Sequence, residues 1–156
     1  MACEFIAPPQ DVALNNPILF NDSIPCSQGR IYHDDGNGTF QLRGMNRRCG
    51  CGCGCHQMTE YQATFNGNIA IPEGGTVGPI AVALAIDGEP LQSSRAIVTP
   101  AAAEQYFNVT STAIITVPIG CCYTVAVENV PAGVAGPIDQ QAISVADGNL
   151  TVARIA

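Results

Sequence analysis

Residues 80–86 read Ile-Ala-Val-Ala-Leu-Ala-Ile, and this alternation constrains the fold more than any other stretch. In an extended strand Ile80, Val82, Leu84 and Ile86 face one way, while Ala81, Ala83 and Ala85 face the other. The first face is that of a core. The second is small and apolar, which predicts a strand packed on a neighbouring subunit through Ala81, Ala83 and Ala85. The same period of two recurs at 108–118, where Val109, Ile115 and Val117 lie in a Thr-rich stretch. It recurs again where Tyr123, Val125 and Val127 alternate with Thr124, Ala126 and Glu128. Residues 150–155 read as a closing strand, and 17–20, 30–34, 38–43 and 60–71 as earlier ones. No stretch has the 3.6-residue period of an amphipathic helix, although Ala101–Gln105 is compatible with one helical turn.

The turn residues agree with this reading. Asp34-Asp35-Gly36-Asn37-Gly38 predicts a hairpin between Ile31-Tyr32 and Phe40-Gln41-Leu42, because Gly and Asn tolerate the positive φ such turns need. Asp87-Gly88-Glu89-Pro90 turns the chain after the Ile80 strand. Pro72-Glu73-Gly74-Gly75 and Pro118-Ile119-Gly120 mark loops. Roughly eight to ten short strands at this spacing predict an all-β fold, a β-sandwich or jelly roll.

The 156 residues fit one domain with a core of its own. Residues 1–16 carry Pro8-Pro9 and few strand formers, and are expected as an extended N-terminal arm. Residues 17–156 are expected to form the sandwich. Only 12% of residues are charged, about half the usual share of ~25%, while 47% are hydrophobic. Such a surface is expected to be covered by oligomerisation or by docking on a larger particle. The net charge of −7 and the absence of a basic stripe argue against nucleic acid as a partner. The first residues lack the charged start and apolar run of a secretion signal. No segment approaches the ~20 apolar residues of a membrane helix. Synthesis in a cytosol, with thiols initially reduced, is the expectation.

Chemistry concentrates in a loop at 47–56, Arg47-Arg48-Cys49-Gly50-Cys51-Gly52-Cys53-Gly54-Cys55-His56. In an extended chain, residues two apart lie about 6.6–6.8 Å from each other, at the outer limit of disulfide geometry. Cys49, Cys51, Cys53 and Cys55 should therefore reach another chain or curl around a shared ion, unless the loop stays reduced and flexible. Thiolates select zinc or another thiophilic metal, and His56 is a candidate extra ligand. The spacing is not the Cys-x(2–4)-Cys of structural zinc, however. Cys121 and Cys122 are adjacent and face opposite sides of a strand. One is expected to be buried; the other is a disulfide candidate, with Cys3 or Cys26 as partner.

No catalytic constellation is evident. His33-Asp34-Asp35 places a base beside carboxylates, but in a predicted turn. Asp34–Gly38 lacks the distal glutamate of a calcium loop.

Several segments resemble a known group of proteins: Phe65–Ile80, Ala85-Ile86-Asp87-Gly88-Glu89-Pro90-Leu91, Thr99-Pro100 and Val117-Pro118-Ile119-Gly120-Cys121-Cys122. They resemble small virion proteins of tailed phages and prophages. There, a strand similar to Gly38–Gly44 precedes a variable Cys-rich loop, and a strand like Asn149–Ile155 closes the domain. The order of elements is similar to the trimeric jelly rolls of the tumour-necrosis-factor and C1q class. The resemblance covers about residues 17–156. It implies a homotrimer and a structural, non-enzymatic role as a capsid decoration or head-fibre protein. The implied partners are a major capsid protein and, compatibly, surface glycans. A disulfide-locked filament or spore-surface appendage subunit and a thiolate metal-binding protein are the alternatives. No collagen-like Gly-X-Y stalk is present, which favours a protein seated directly on a capsid.

Overall fold

The computed structural model describes residues 2–24, 30–45, 58–133 and 142–156. These contain twelve strands and one short 3-10 turn. In chain order the strands are β1 (Ala2–Ala7), β2 (Gln10–Val12), β3 (Asp22–Ile24), β4 (Ile31–Tyr32), β5 (Thr39–Arg43) and β6 (Thr59–Ala70). Then follow β7 (Ile80–Ile86), β8 (Glu89–Pro90), the 3-10 turn Gln92–Ser94, β9 (Ala96–Val98), β10 (Phe107–Val117), β11 (Cys122–Val130) and β12 (Ile143–Arg154).

They form two antiparallel sheets. Sheet 1 runs β10-β6-β12-β1-β3, with β2 continuing the β12 edge beyond β1. Sheet 2 runs β4-β5-β11-β7-β8, with β9 also on β7. Neighbours in each sheet are mostly remote in sequence, which is the jelly-roll pattern. The core lies between the sheets. Sheet 1 contributes Phe5, Tyr61, Phe65, Ile69, Ile115, Leu150 and Val152, and sheet 2 contributes Phe40, Leu42, Val82, Leu84, Val125 and Val127. Every second residue of β6 is inward, from Tyr61 through Ala63 and Phe65 to Ile69, as the alternation requires.

The expected hairpin forms, with Ile31 opposite Leu42 and Tyr32 opposite Gln41. The Asp87-Gly88 turn also forms: both residues have positive φ (51° and 85°), and Ile86 pairs with Glu89. Ala101–Gln105 is a bend and turn rather than a helical turn.

The N-terminal segment is the main correction to the sequence reading. Residues 1–16 were expected as an arm outside the sandwich, yet β1 lies inside sheet 1, between β12 and β3. Cys3, Phe5, Ala7 and Val12 are buried in the core. Pro8-Pro9 breaks one edge into β1 and β2 rather than releasing an arm, because β12 is long enough to pair with both. Gln10 secures the break: its Nε2 donates to the carbonyl of Leu19 at 2.8 Å, and its Oε1 accepts from Leu19 N–H at 2.9 Å.

Candidate functional site

Ala81, Ala83 and Ala85 do alternate with Val82 and Leu84, but all three are at most 1% exposed within the single chain. Ala81 and Ala83 pack with Val130 and Ala132 in a second small apolar cluster. Their side chains are already covered and offer nothing to a neighbouring subunit, which corrects the expectation that they line the subunit contact. The alternation establishes two apolar faces. It does not say that the chain itself closes the second.

The outer face of sheet 1 is the open one. Strand register lines its side chains into rows. Ile114, Gln62 and Ala153 form one row, and Thr112, Thr64, Thr151 and Glu4 the next. Thr110, Asn66, Asn149 and Ile6 form a third, followed by Asn108, Asn68 and Ala146. Glu4 is the one ionisable side chain within these rows; Glu60 and Asp147 bound them at either end. Ile114 is 62% exposed and Ile6 41%.

Several polar groups of this face bond to one another. Thr64 donates to the Thr112 hydroxyl at 2.9 Å, and Thr112 to the Ala63 carbonyl at 3.1 Å. Asn108 Nδ2 donates to Asn68 Oδ1 at 3.2 Å, and Asn68 Nδ2 to Asp147 Oδ2 at 3.4 Å. Asn149 Nδ2 donates to the Glu4 carboxylate. A polar group that already has a protein partner costs less to remove from water than one that relies on solvent. Covering the bonded members of this face with another surface therefore costs less than covering side chains that rely on water alone. The sequence signal for it was the Thr110-Thr112-Thr116 spacing in 108–118, which marked a strand and nothing more.

A second built feature is the stem from which residues 46–57 depart. The Tyr61 hydroxyl donates to the Arg43 carbonyl at 2.6 Å, and Arg30 Nη1 to the Gly44 carbonyl at 2.7 Å. The 118–121 turn completes it: Gly44 N–H donates to the Cys121 carbonyl at 2.9 Å, and Gly120 N–H to the Met45 carbonyl at 3.0 Å. A Cβ at Gly44 would run into the Pro118 carbonyl, so only glycine lets the two segments approach this closely.

The predicted sulfur ligands Cys49, Cys51, Cys53, Cys55 and His56, and the disulfide candidate Cys26, lie outside the described residues. Cys121 and Cys122 are both free and exposed. The expectation that one is buried and the other bridged gives way, because Cys121 sits in the turn and Cys122 opens β11 at its solvated end. Cys3 is fully buried and disulfide-bonded, and neither Cys121 nor Cys122 is its partner. Among the described residues no group of His, Cys, Asp and Glu could hold a metal ion.

His33 serves packing. Its ring stacks on Phe40 at 4.3 Å and meets Phe5 edge-on at 5.1 Å, while Nε2–H donates to the Asn37 carbonyl at 2.8 Å. A polar groove of about 240 Å³ opens beside it, lined among others by Tyr32, Asp34, Asn37, Thr39, Gln41 and Thr124. No helix among the described residues is long and apolar enough to cross a membrane.

No protein-family model matches the sequence, and no curated protein matches it. Solved structures do match in fold. The chain is similar to the globular domain of zebrafish complement 1qA at 14% identity and a TM-score of 0.62, covering 99% of this chain and 97% of that one. It is similar to Eiger TNF from S. frugiperda at 13% identity and a TM-score of 0.65, covering 100% and 92%. It is also similar to murine APRIL at 9% identity and a TM-score of 0.58, covering 99% and 98%. The chain therefore has the jelly-roll β-sandwich fold shared by C1q-like and TNF-like domains.

Proposed function

We propose that this chain is a structural subunit that associates with copies of itself as a homotrimer and decorates the surface of a particle. The reading is a capsid decoration or head-fibre protein of a tailed phage, made in the host cytoplasm and carried on the virion. The observation that carries self-association is the outer face of sheet 1, with Ile6 and Ile114 exposed, one carboxylate among its rows, and polar groups bonded to each other. Threefold closure and the virion setting are supported by the resemblance to phage virion proteins and to trimeric jelly rolls. With β1 inside the sandwich, contact with a major capsid protein falls to the loops at the sandwich ends. The polar groove beside His33 suits saccharide hydroxyls, which fits display of a surface towards glycans.

Native mass spectrometry of the intact chain, with Ile114→Glu as comparison, tests self-association. A discrete trimer that falls to monomer in I114E, with an unchanged melting temperature, supports the reading. A wild-type monomer at micromolar concentration, or a trimer indifferent to I114E, overturns it. Co-sedimentation of the trimer with capsids lacking decoration tests the virion role; no binding to such capsids removes it.

A further inference from the structure

The groove of about 240 Å³ beside His33 is lined by Thr39 and Gln41 of β5, by Thr124 of β11, and by Asp34 and Asn37 of the hairpin before β5. Its walls are fixed by bonds within the chain. His33 Nε2–H and Phe20 N–H both donate to the Asn37 carbonyl, at 2.8 and 3.1 Å, and Gly36 N–H donates to the Phe20 carbonyl at 2.8 Å. On β5, Gln41 Oε1 accepts from Arg43 Nε at 3.0 Å and from Nη2 at 2.9 Å, while the Arg43 guanidinium lies 4.0 Å over the Tyr32 ring. A site whose side chains are already held loses little freedom when it binds.

Three polar groups on these walls are left over. Asn37 Oδ1 accepts from the Thr39 N–H at 3.2 Å and from the Thr39 hydroxyl at 3.1 Å, which leaves Asn37 Nδ2 to donate. Thr124 N–H donates to Asp87 Oδ1 at 2.9 Å, but the Thr124 hydroxyl takes no part in that contact. The exposed Asp34 is the one Asp or Glu lining the groove, and no arginine lines it. Among the described residues, Asn37 Nδ2, the Thr124 hydroxyl and the Asp34 carboxylate have no hydrogen-bond partner in the chain. They make a donor, a group that both donates and accepts, and a charged acceptor.

We infer that this groove binds one neutral saccharide ring, the terminal sugar of a glycan; the inference rests on the glycan-facing reading above and gives it a site and a ligand class. A ring hydroxyl both donates and accepts, so one hydroxyl donates to Asp34 while accepting from Asn37 Nδ2, and its neighbour pairs with Thr124. The bond to the Asp34 carboxylate is charge-assisted and the strongest of the set. Tyr32 and Phe40 add aromatic carbon for the C–H face of the ring. The volume is below the ~300–1,000 Å³ of sites for drug-sized ligands, which fits a single ring rather than a longer oligosaccharide. Asp34, with Asp87 bonded to Thr124 N–H, disfavours sugars that carry a carboxylate.

Amide NMR of the intact, nitrogen-labelled protein, titrated with methyl glucoside, methyl galactoside, N-acetylglucosamine and glucuronate, tests this inference. At least one neutral sugar should give saturable shifts at the Asn37 side-chain amide and at the Thr39, Gln41 and Thr124 amides, with a Kd of about 1–10 mM. Glucuronate should bind about ten-fold more weakly. Asp34→Ala should weaken the neutral sugar about ten-fold, and Thr124→Val about three-fold. Asp34→Asn should narrow the gap between neutral and acidic sugars, which a merely structural role for Asp34 would not do. Neither side chain bonds another, so circular dichroism melts should match wild type; should Asp34→Ala not fold, Asp34→Asn and Thr124→Val carry the test. Saturable shifts elsewhere, unmoved by these variants, would overturn the groove as the site while leaving the glycan-facing reading in place. Glucuronate binding as tight as that of the neutral sugars would overturn the ligand class. No saturable shift with any of the sugars at about 50 mM would overturn the inference and the glycan-facing reading together, while self-association is read separately by mass.

Discussion

The Tyr61 hydroxyl reaches from sheet 1 to the Arg43 carbonyl at the end of β5 in sheet 2, a 2.6 Å bond that closes one end of the sandwich. Tyr61 is fully buried, so without it the Arg43 carbonyl loses a partner that water does not readily replace. Tyr61→Phe should cost about 1–3 kcal/mol in urea unfolding at neutral pH. Burial pushes the Tyr61 pKa above its ordinary 10.0, against the opposing pull of Arg30 and Arg154. The folded state thus holds a proton that the unfolded state gives up, and this contribution is lost as pH rises above 10 through the raised value. An alkaline limb of the stability curve that is present in wild type and absent in Y61F would verify the assignment.

Glu128 faces Ala83 across the β11–β7 ladder and is half-buried, and burial raises its pKa from 4.5. Between 4.5 and the raised value the folded state binds the extra proton, so stability falls as pH rises through that window. Glu128→Gln should raise the melting temperature at pH 7 by about 1–3 °C and flatten this slope. An equal melting temperature for the two proteins at pH 7 would remove the effect.

Deleting residues 2–7 removes a strand from between β12 and β3, together with Cys3 and Phe5. The shortened chain should show no cooperative thermal transition. A truncated protein that melts like wild type would return this segment to the role of an arm.

Cys3 is buried and bonded, whereas Cys121 and Cys122 are free and exposed. Under native conditions a thiol reagent followed by peptide mapping should label Cys121 and Cys122 and spare Cys3. Cys3→Ala should cost about 2–4 kcal/mol, measured by denaturant unfolding. Cys121→Ser should be neutral within about 0.5 kcal/mol.

Gly44→Ala places a methyl group against the Pro118 carbonyl. The stem must then part from the 118–121 turn, at an expected cost of about 1–3 kcal/mol. Hydrogen exchange at the Gly120 amide, which donates to Met45, should accelerate in this variant if the two segments separate.

What the sequence made legible was local. Period-two alternation exposed β6, β7, β10 and β11, and Asp-Gly and Asn-Gly chemistry exposed the turns at 87–88 and 34–38. What it concealed depended on distant partners. Cys3, Phe5 and Ala7 alternate as a strand should, but the run is short, and its justification lies in β12, well over a hundred residues away. Pro8-Pro9 looked like the boundary of a loose arm because only the length of β12 shows that pairing resumes at Gln10. Ala81 and Ala83 looked like a contact surface because their cover, Val130 and Ala132, comes from the end of β11 and the loop after it. His33 resembled a base beside carboxylates until Phe5 and Phe40 arrived from elsewhere to enclose it. The Thr and Asn rows of sheet 1 become visible only once register aligns four strands.

The stem ties the two sheets together through described residues from several parts of the chain. Tyr61, Arg30, the 118–121 turn and the main chain of 43–45 supply its hydrogen bonds, and buried Thr59 opens β6 on the other side. The chain must cross from sheet 2 to sheet 1 between these two anchors. This end of the sandwich is thus a clasp that spans both sheets: a change at Tyr61, Arg30 or Gly44 loosens β5 and β6 together, not one strand alone.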